Sequence, residues 1–260
     1  MWLGPSKVAR WWKEVKKIRR IHWRGYRPSA AVKGVTPLRL VIFDFDGTIY
    51  RGETARLFLR VLKKNPERRR AVRRYYLRQA FPYLLYRLGL RPWGMVARGT
   101  LRLAKIFKGM TETELCLYLR QCLAAAKPGF HAAALARLQE HLDAGDKAVL
   151  LSGTFTCFLA LVAGELGIGY LPGNDLEIAP DGRCSGGIRN HGIGPAKARI
   201  LASFLAEQES AGVRFDLKDA YAYANGFQDL PVLSLVGHPV VVNPDRRLRK
   251  IAESKGWEII

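Results

Sequence analysis

One junction constrains this chain more than anything else in it: the run LRLVIF, Leu38 to Phe43, passes directly into the acidic turn DFDGT, Asp44 to Thr48. Apolar residues at successive rather than alternate positions belong to a strand covered on both faces, the habit of parallel sheets. Residues 53 to about 126 then read as helices only: Arg56 to Lys64, Pro66 to Gln79, Pro82 to Gly89, Pro92 to Phe107 and Thr111 to Ala126. Thr111 and Glu114 open the last of these as a capping-box pair. Alternation follows, with helices predicted at Phe130 to Ala144, Phe155 to Leu166, Pro195 to Gln208 and Pro244 to Lys255, plus a short one through Leu235. Strands are predicted at KAVLL (Lys147 to Leu151), DAYAYA (Asp219 to Ala224), PVVV (Pro239 to Val242) and the terminal WEII, and a hairpin turns at Pro180 to Gly182. Strands alternating with helices of this length predict an α/β fold, a doubly wound parallel sheet, with an all-helical cap inserted after the first strand. The expected division is 1–37 as an N-terminal extension and linker, 38–52 with 127–260 as the core, and 53–126 as the cap.

Polar residues collect where these strands run out, the place where a doubly wound sheet gathers its site. In DFDGT, carboxylates at i and i+2 converge on one point while Gly47 lets the chain turn away. Ser152, Gly153 and Thr154 close the KAVLL strand and offer a hydroxyl and backbone N–H groups to phosphate oxygens. Lys197 sits in the first turn of a helix, where it opposes the helix dipole unless an anion lies nearby. Asn225 and Asp229 follow DAYAYA as oxygen donors suited to a hard cation. Each alone reads as a solvated loop; the ordered set does not. The five histidines show no ligand spacing.

The 260 residues carry 43 lysines and arginines against 22 acidic residues, a formal charge of +21. Two stretches hold the excess: residues 1–39, with 11 basic and 1 acidic, and residues 51–110, with 17 and 2. Such a field draws the protein toward an anionic surface, phospholipid or nucleic acid. Val8 to Trp23 is predicted as a basic amphipathic helix rich in tryptophan, whose apolar face meets either a headgroup layer or the protein's own surface. The tryptophans favour lipid over nucleic acid as the partner. The expected setting is cytoplasmic, peripheral on the inner face of a membrane. Neither a secretory core nor a transmembrane span is expected. Four cysteines without CxxC or zinc-finger spacing predict no disulfide frame and no structural zinc.

The order DFDGT, SGT, Lys197, then NGFQDLP resembles the haloacid dehalogenase-like superfamily, and within it the class IB, phosphoserine phosphatase-like branch. The resemblance covers about residues 38 to 260. It implies a phosphomonoester hydrolase that uses Mg2+ and an aspartyl-phosphate on Asp44. Asp46 would protonate the leaving alkoxide and then deprotonate water. Ser152 and Lys197 would hold phosphate oxygens, with Gly153 and Thr154 completing that cradle. Asp44, the Asp46 carbonyl and Asn225 would hold the metal, supported by Asp229. Glu53, nine residues after Asp44, matches a carboxylate that binds the substrate ammonium in phosphoserine phosphatases; a glutamate at a helix N-terminus is its plain alternative. The family's Gly-Asp is replaced here by Ala224-Asn225, which keeps an oxygen but removes a charge. The substrate expected is a small organic or lipid-related phosphomonoester. The competing readings are a cytosolic phosphoserine phosphatase and a catalytically weak protein that binds anionic lipid or nucleic acid.

Overall fold

The computed structural model describes residues 38–87, 94–171, 173–189 and 195–260, so the helix expected at Val8 to Trp23 lies outside the described residues. The chain opens with β1 (Leu40–Phe43) and passes into α1 (Thr54–Leu62), α2 (Arg69–Arg87), α3 (Gly94–Ala104), α4 (Glu112–Ala126) and α5 (Ala132–Asp143). It continues through β2 (Lys147–Leu150), α6 (Thr156–Leu166), β3 (Gly169–Tyr170), β4 (Leu176–Ile178), β5 (Cys184–Ile188) and α7 (Pro195–Ser210). It ends with β6 (Tyr221–Ala224), α8 (Leu230–Leu233), β7 (His238–Val241), α9 (Arg246–Lys255) and β8 (Glu258–Ile259).

Six strands form one parallel sheet in the order β3-β2-β1-β6-β7-β8, and β4 and β5 form a separate antiparallel hairpin. This is the expected α/β fold. β1 lies inside the sheet, with Val41 registered against Ala148 on one side and Tyr221 on the other. Because successive side chains of a strand face opposite ways, Val41 and Phe43 enter one core while Leu40 and Ile42 enter the second. Both faces of β1 are buried, which is why the sequence reads as an unbroken apolar run.

The helices from α1 to α4 join the first core rather than standing apart from it. Phe58 of α1 meets Phe158 edge-on at 5.1 Å and stacks on Phe155 at 5.8 Å, and Phe107 meets Phe155 at 5.5 Å. Aromatic packing of this kind ties the helical block to the loop that follows β2.

Three local features differ from the sequence expectation. A single α2 runs through Pro82, where a break was expected. Proline removes the hydrogen bond from residue 82 to the carbonyl of Arg78, and the Arg102 guanidinium takes that carbonyl instead at 3.2 Å, also meeting Gln79 Oε1 at 3.0 Å. The two-residue β3 was unforeseen, being too short to show a pattern. Several predicted ends also shift by one or two residues, for example Thr111, which is the N-cap of α4 rather than its first residue; its capping box with Glu114 is present. Cys116, Cys122, Cys157 and Cys184 are buried and free. Among the described residues no helix is long and apolar enough to cross a membrane.

Candidate active site

β1 delivers Asp44 to the end of the sheet, where its N–H donates to the Tyr223 carbonyl of β6 at 2.9 Å. The Asp44 side chain is buried and pairs with Lys197, whose Nζ lies 2.8 Å from Asp44 Oδ1 and 2.5 Å from Asp229 Oδ1. One ammonium thus bridges two carboxylates, the three groups being brought together from three different parts of the chain. Lys197 stands in the first turn of α7, and the anion its position called for is this pair.

Electrostatics follow from that burial. Desolvation disfavours the Lys197 ammonium, but Asp44 and Asp229 outweigh it and hold its pKa above the ordinary value. Burial raises the Asp44 carboxyl to about 6, with Lys197 pulling it down and Asp229 pushing it up. Asp46 as a whole residue is half-buried, yet its two carboxylate oxygens both turn onto Thr54. Burial of that end raises Asp46 to about 7, against the lowering effect of the Thr54 hydrogen bond.

The turn itself depends on Gly47, whose φ of +79° lies in the left-handed region that favours glycine. A Cβ there would also run into the side-chain amide of Asn225, so Asn225 lies directly against the acidic turn. Across the site, Ser152 and Thr154 are buried, and the Thr154 hydroxyl has no hydrogen-bond partner within the described residues. Asp229 Oδ2 is likewise buried without a partner there. Buried polar atoms of this kind are rare unless a ligand or water completes them.

A pocket of about 170 Å³ gathers Asp44, Asp46, Ser152, Gly153, Thr154 and Lys197. Thr54, Ala55, Thr100, Leu103, Phe155 and Gln228 complete its lining. Asn225 and Asp229 stand behind this lining, against Gly47 and Lys197 respectively. Glu53 is not brought in: its side chain is 60% exposed and pairs with Arg56 at 3.1 Å.

Sequence reasoning missed three contributors. Thr54 holds Asp46 through its N–H at 2.9 Å and its hydroxyl at 2.7 Å. Asn174, fully buried, donates from its N–H to the Thr154 carbonyl at 2.9 Å and from its side-chain amide to the Gly153 carbonyl. Gly173 lies so close that a Cβ would strike the Ser152 and Thr154 carbonyls. The available signal was the stretch GNDLEIAPDGRCSG, which with SGTFTCF resembles the phosphoserine phosphatase pattern but by itself names no contact with the SGT loop.

Asp44 carboxylate, Asp46 carbonyl and Asn225 amide are all hard oxygen donors, and the unpartnered Asp229 Oδ2 lies in the same neighbourhood, so the residues fit Mg2+ in kind. Among the described residues no group of three His, Cys, Asp or Glu side chains could hold a metal ion.

A family model described as haloacid dehalogenase-like hydrolase matches residues 41–234. The chain is 26% identical over 226 residues to an inhibition of morphological differentiation protein from Streptomyces azureus, covering 86% of this chain and 78% of that one. It is 35% identical over 124 residues to a histidinol-phosphatase from Neisseria meningitidis serogroup C, covering 47% of this chain and 55% of that protein. Among solved structures, a protein of unknown function from Bordetella pertussis Tohama I superposes with a TM-score of 0.73 at 24% identity, covering 86% of this chain and 99% of that one. A substrate-bound phosphoserine phosphatase superposes with a TM-score of 0.57 at 18% identity, covering 87% and 94%. These two likenesses concern the fold.

Proposed function

Because the chain belongs to the haloacid dehalogenase-like hydrolase family, with phosphatases among its relatives, we propose that it hydrolyses a phosphomonoester through an aspartyl-phosphate on Asp44. The observation that carries this reading is the bridge from Lys197 to Asp44, set in one pocket with Asp46 and the Ser152–Thr154 loop. An Asp44 oxygen attacks phosphorus, and the ester bond to the leaving alkoxide breaks. Asp46, raised to about 7, supplies the proton that the alkoxide takes. A water then loses its proton to Asp46 and attacks the acyl phosphate, which releases phosphate and restores Asp44. Lys197, the Ser152 hydroxyl and the unpartnered Thr154 hydroxyl hold the equatorial oxygens. Thr54 keeps Asp46 aimed.

Asp44, the Asp46 carbonyl and Asn225 would hold Mg2+, with Asp229 in support. Its charge, when bound, lets two anions approach each other.

The size of the pocket, about 170 Å³, suits a small leaving group. Ala55, Leu103 and Phe155 form an apolar side to it, and Thr100 and Gln228 a polar one. Glu53 takes no part in this reading, because it points to solvent and is tied to Arg56. Phosphoserine is therefore the less favoured substrate within the class. A weaker enzyme is the second reading, and Asn225 favours it by withholding a charge from the metal. Phosphate release from p-nitrophenyl phosphate and from a panel of small phosphomonoesters, with Mg2+ present, tests the proposal. Turnover by the native chain and none by Asp44→Asn is expected. Turnover unchanged in Asp44→Asn would end the aspartyl-phosphate reading.

A further inference from the structure

We propose that the outward face of α2 is a docking surface for an anionic phospholipid bilayer. Arg70, Arg74, Leu77, Arg78 and Phe81 follow one another at i, i+4, i+7, i+8 and i+11, the spacing of a single helical stripe. All five are exposed, Leu77 and Phe81 to 67% each. A different side of the same helix packs, through buried Val72, with the partly buried Ala71 and Tyr75 between it and the stripe. The stripe is therefore presented outward by the fold, and nothing in the described residues covers it.

Its composition works against the helix in isolation. α2 contains no Asp or Glu at all, Arg69 and Arg70 oppose the dipole at its first turn, and Arg70, Arg74 and Arg78 repel one another at i, i+4 spacing. The neighbouring cleft, of about 500 Å³, adds Arg68, Arg102, Lys105 and Lys108 to those three, and Glu67 is the one carboxylate in its lining. Among the described residues none of these seven cations joins an ion pair with a carboxylate. A partner carrying many negative charges relieves that repulsion.

Leu77 and Phe81 decide which anion. A soluble polyphosphate or a nucleic-acid backbone satisfies the arginines and leaves Leu77 in water. A phospholipid surface takes both at once, with apolar side chains entering the acyl boundary and arginines remaining at the phosphates. α3 separates this surface from the catalytic pocket, giving Thr100 and Leu103 to the pocket and Arg102 to the cleft. Docking on α2 therefore leaves the pocket unobstructed by the docking residues themselves.

The test uses the full chain and a probe confined to the stripe. All four native cysteines are buried, so Leu77→Cys accepts an environment-sensitive nitrobenzoxadiazole label at one site. Its emission should shift to the blue with phosphatidylcholine–phosphatidylglycerol vesicles, not with phosphatidylcholine alone, and the shift should reverse with salt. The triple variant Arg70→Gln, Arg74→Gln, Arg78→Gln should bind about a hundredfold more weakly by this signal, at roughly a factor of five per cation. A label that stays water-like while the protein cosediments with anionic vesicles would place docking elsewhere and overturn the proposal. So would absent cosedimentation, an equal shift on neutral vesicles, or undiminished binding by the triple variant. A shift produced by a single-stranded oligonucleotide but not by vesicles would assign the face to nucleic acid instead. Circular dichroism and thermal unfolding, rather than turnover, verify that the variants fold, so this result is separate from the catalytic reading.

Discussion

Thr54 grips both oxygens of Asp46, its N–H donating to Oδ1 at 2.9 Å and its hydroxyl to Oδ2 at 2.7 Å. The first turn of α1 thus fixes the direction of a carboxyl that begins the site on the other side of the DFDGT turn. Thr54→Val keeps the shape and removes the hydroxyl donor. On the proposed mechanism kcat should fall by roughly tenfold to a hundredfold, the scale of a misplaced catalytic group, with KM changed little. Thr54→Ser, which restores the hydroxyl, should recover most of the rate. Wild-type kcat in Thr54→Val would leave Asp46 aligned by something else.

The same pair sets a pH dependence. On the proposed mechanism Asp46 must be protonated to donate to the leaving group, and its carboxyl is raised to about 7. Asp44 must be ionised to attack, and its carboxyl is raised to about 6. Activity should therefore fall on the alkaline side as Asp46 loses its proton and on the acid side as Asp44 gains one, a bell between these limits. The Thr54 hydrogen bond lowers the Asp46 pKa, so Thr54→Val should move the alkaline limb upward. kcat/KM profiles of the two proteins check the sign, and a limb that moved downward would contradict it.

Stability gives an independent reading of that burial. A carboxyl whose folded pKa exceeds its unfolded value stabilises the fold fully below the unfolded pKa, and this stability is lost as pH rises through the folded value. For Asp46 the window runs from about 4 to about 7. Asp46→Asn should therefore raise Tm relative to wild type at pH 8, and the difference should shrink toward pH 4. Thermal unfolding at the two pH values measures it, and an equal difference at both would argue against a buried, raised Asp46.

What could be read from sequence was whatever local patterning encodes. The apolar run of β1 and the polar residues at strand ends needed only period and position, and they brought Asp44, Asp46, Ser152, Thr154 and Lys197 into one pocket. Contacts between distant segments left no such trace. Arg102 taking the carbonyl that Pro82 frees at Arg78 depends on α3 lying beside α2, and a proline by itself signals a break. Gly173 and Asn174 meet the SGT loop across a turn of tertiary structure. Glu53, which the sequence left between a substrate contact implied by resemblance and a helix N-terminal position, is the N-cap of α1 with its side chain exposed beside Arg56.

Gly173 provides a sharp test of the loop it supports. A Cβ at this position would collide with the Ser152 and Thr154 carbonyls, which are backbone atoms and cannot swing aside. Gly173→Ala should therefore displace the proposed phosphate cradle and cost about 1–3 kcal/mol of stability, the usual scale of overpacking. The expected kinetic mark is weaker competitive inhibition by inorganic phosphate together with a higher KM. Inhibition constants and denaturant midpoints for the two proteins measure both, and an unaltered phosphate inhibition constant would show that the loop tolerates displacement.

The final prediction concerns Asn225, whose amide lies against Gly47 in the acidic turn. Affinity for Mg2+ depends on the charge and geometry of its oxygen donors. Asp44 offers one negative charge to the proposed site, but Lys197 at 2.8 Å already neutralises much of it. A neutral amide then adds an oxygen without adding charge. Asn225→Asp is nearly isosteric and should lower the Mg2+ concentration for half-maximal activity, whereas Asn225→Leu keeps bulk, removes the oxygen and should raise it sharply or abolish turnover. Phosphate release against Mg2+ concentration in the three proteins gives the order, and Mg2+-dependent thermal stabilisation gives it again without relying on turnover. If Asn225→Leu matched the native chain in both, Asn225 would not be a ligand. Asp229, whose Oδ2 is buried and lacks a partner among the described residues, would then be the donor to test.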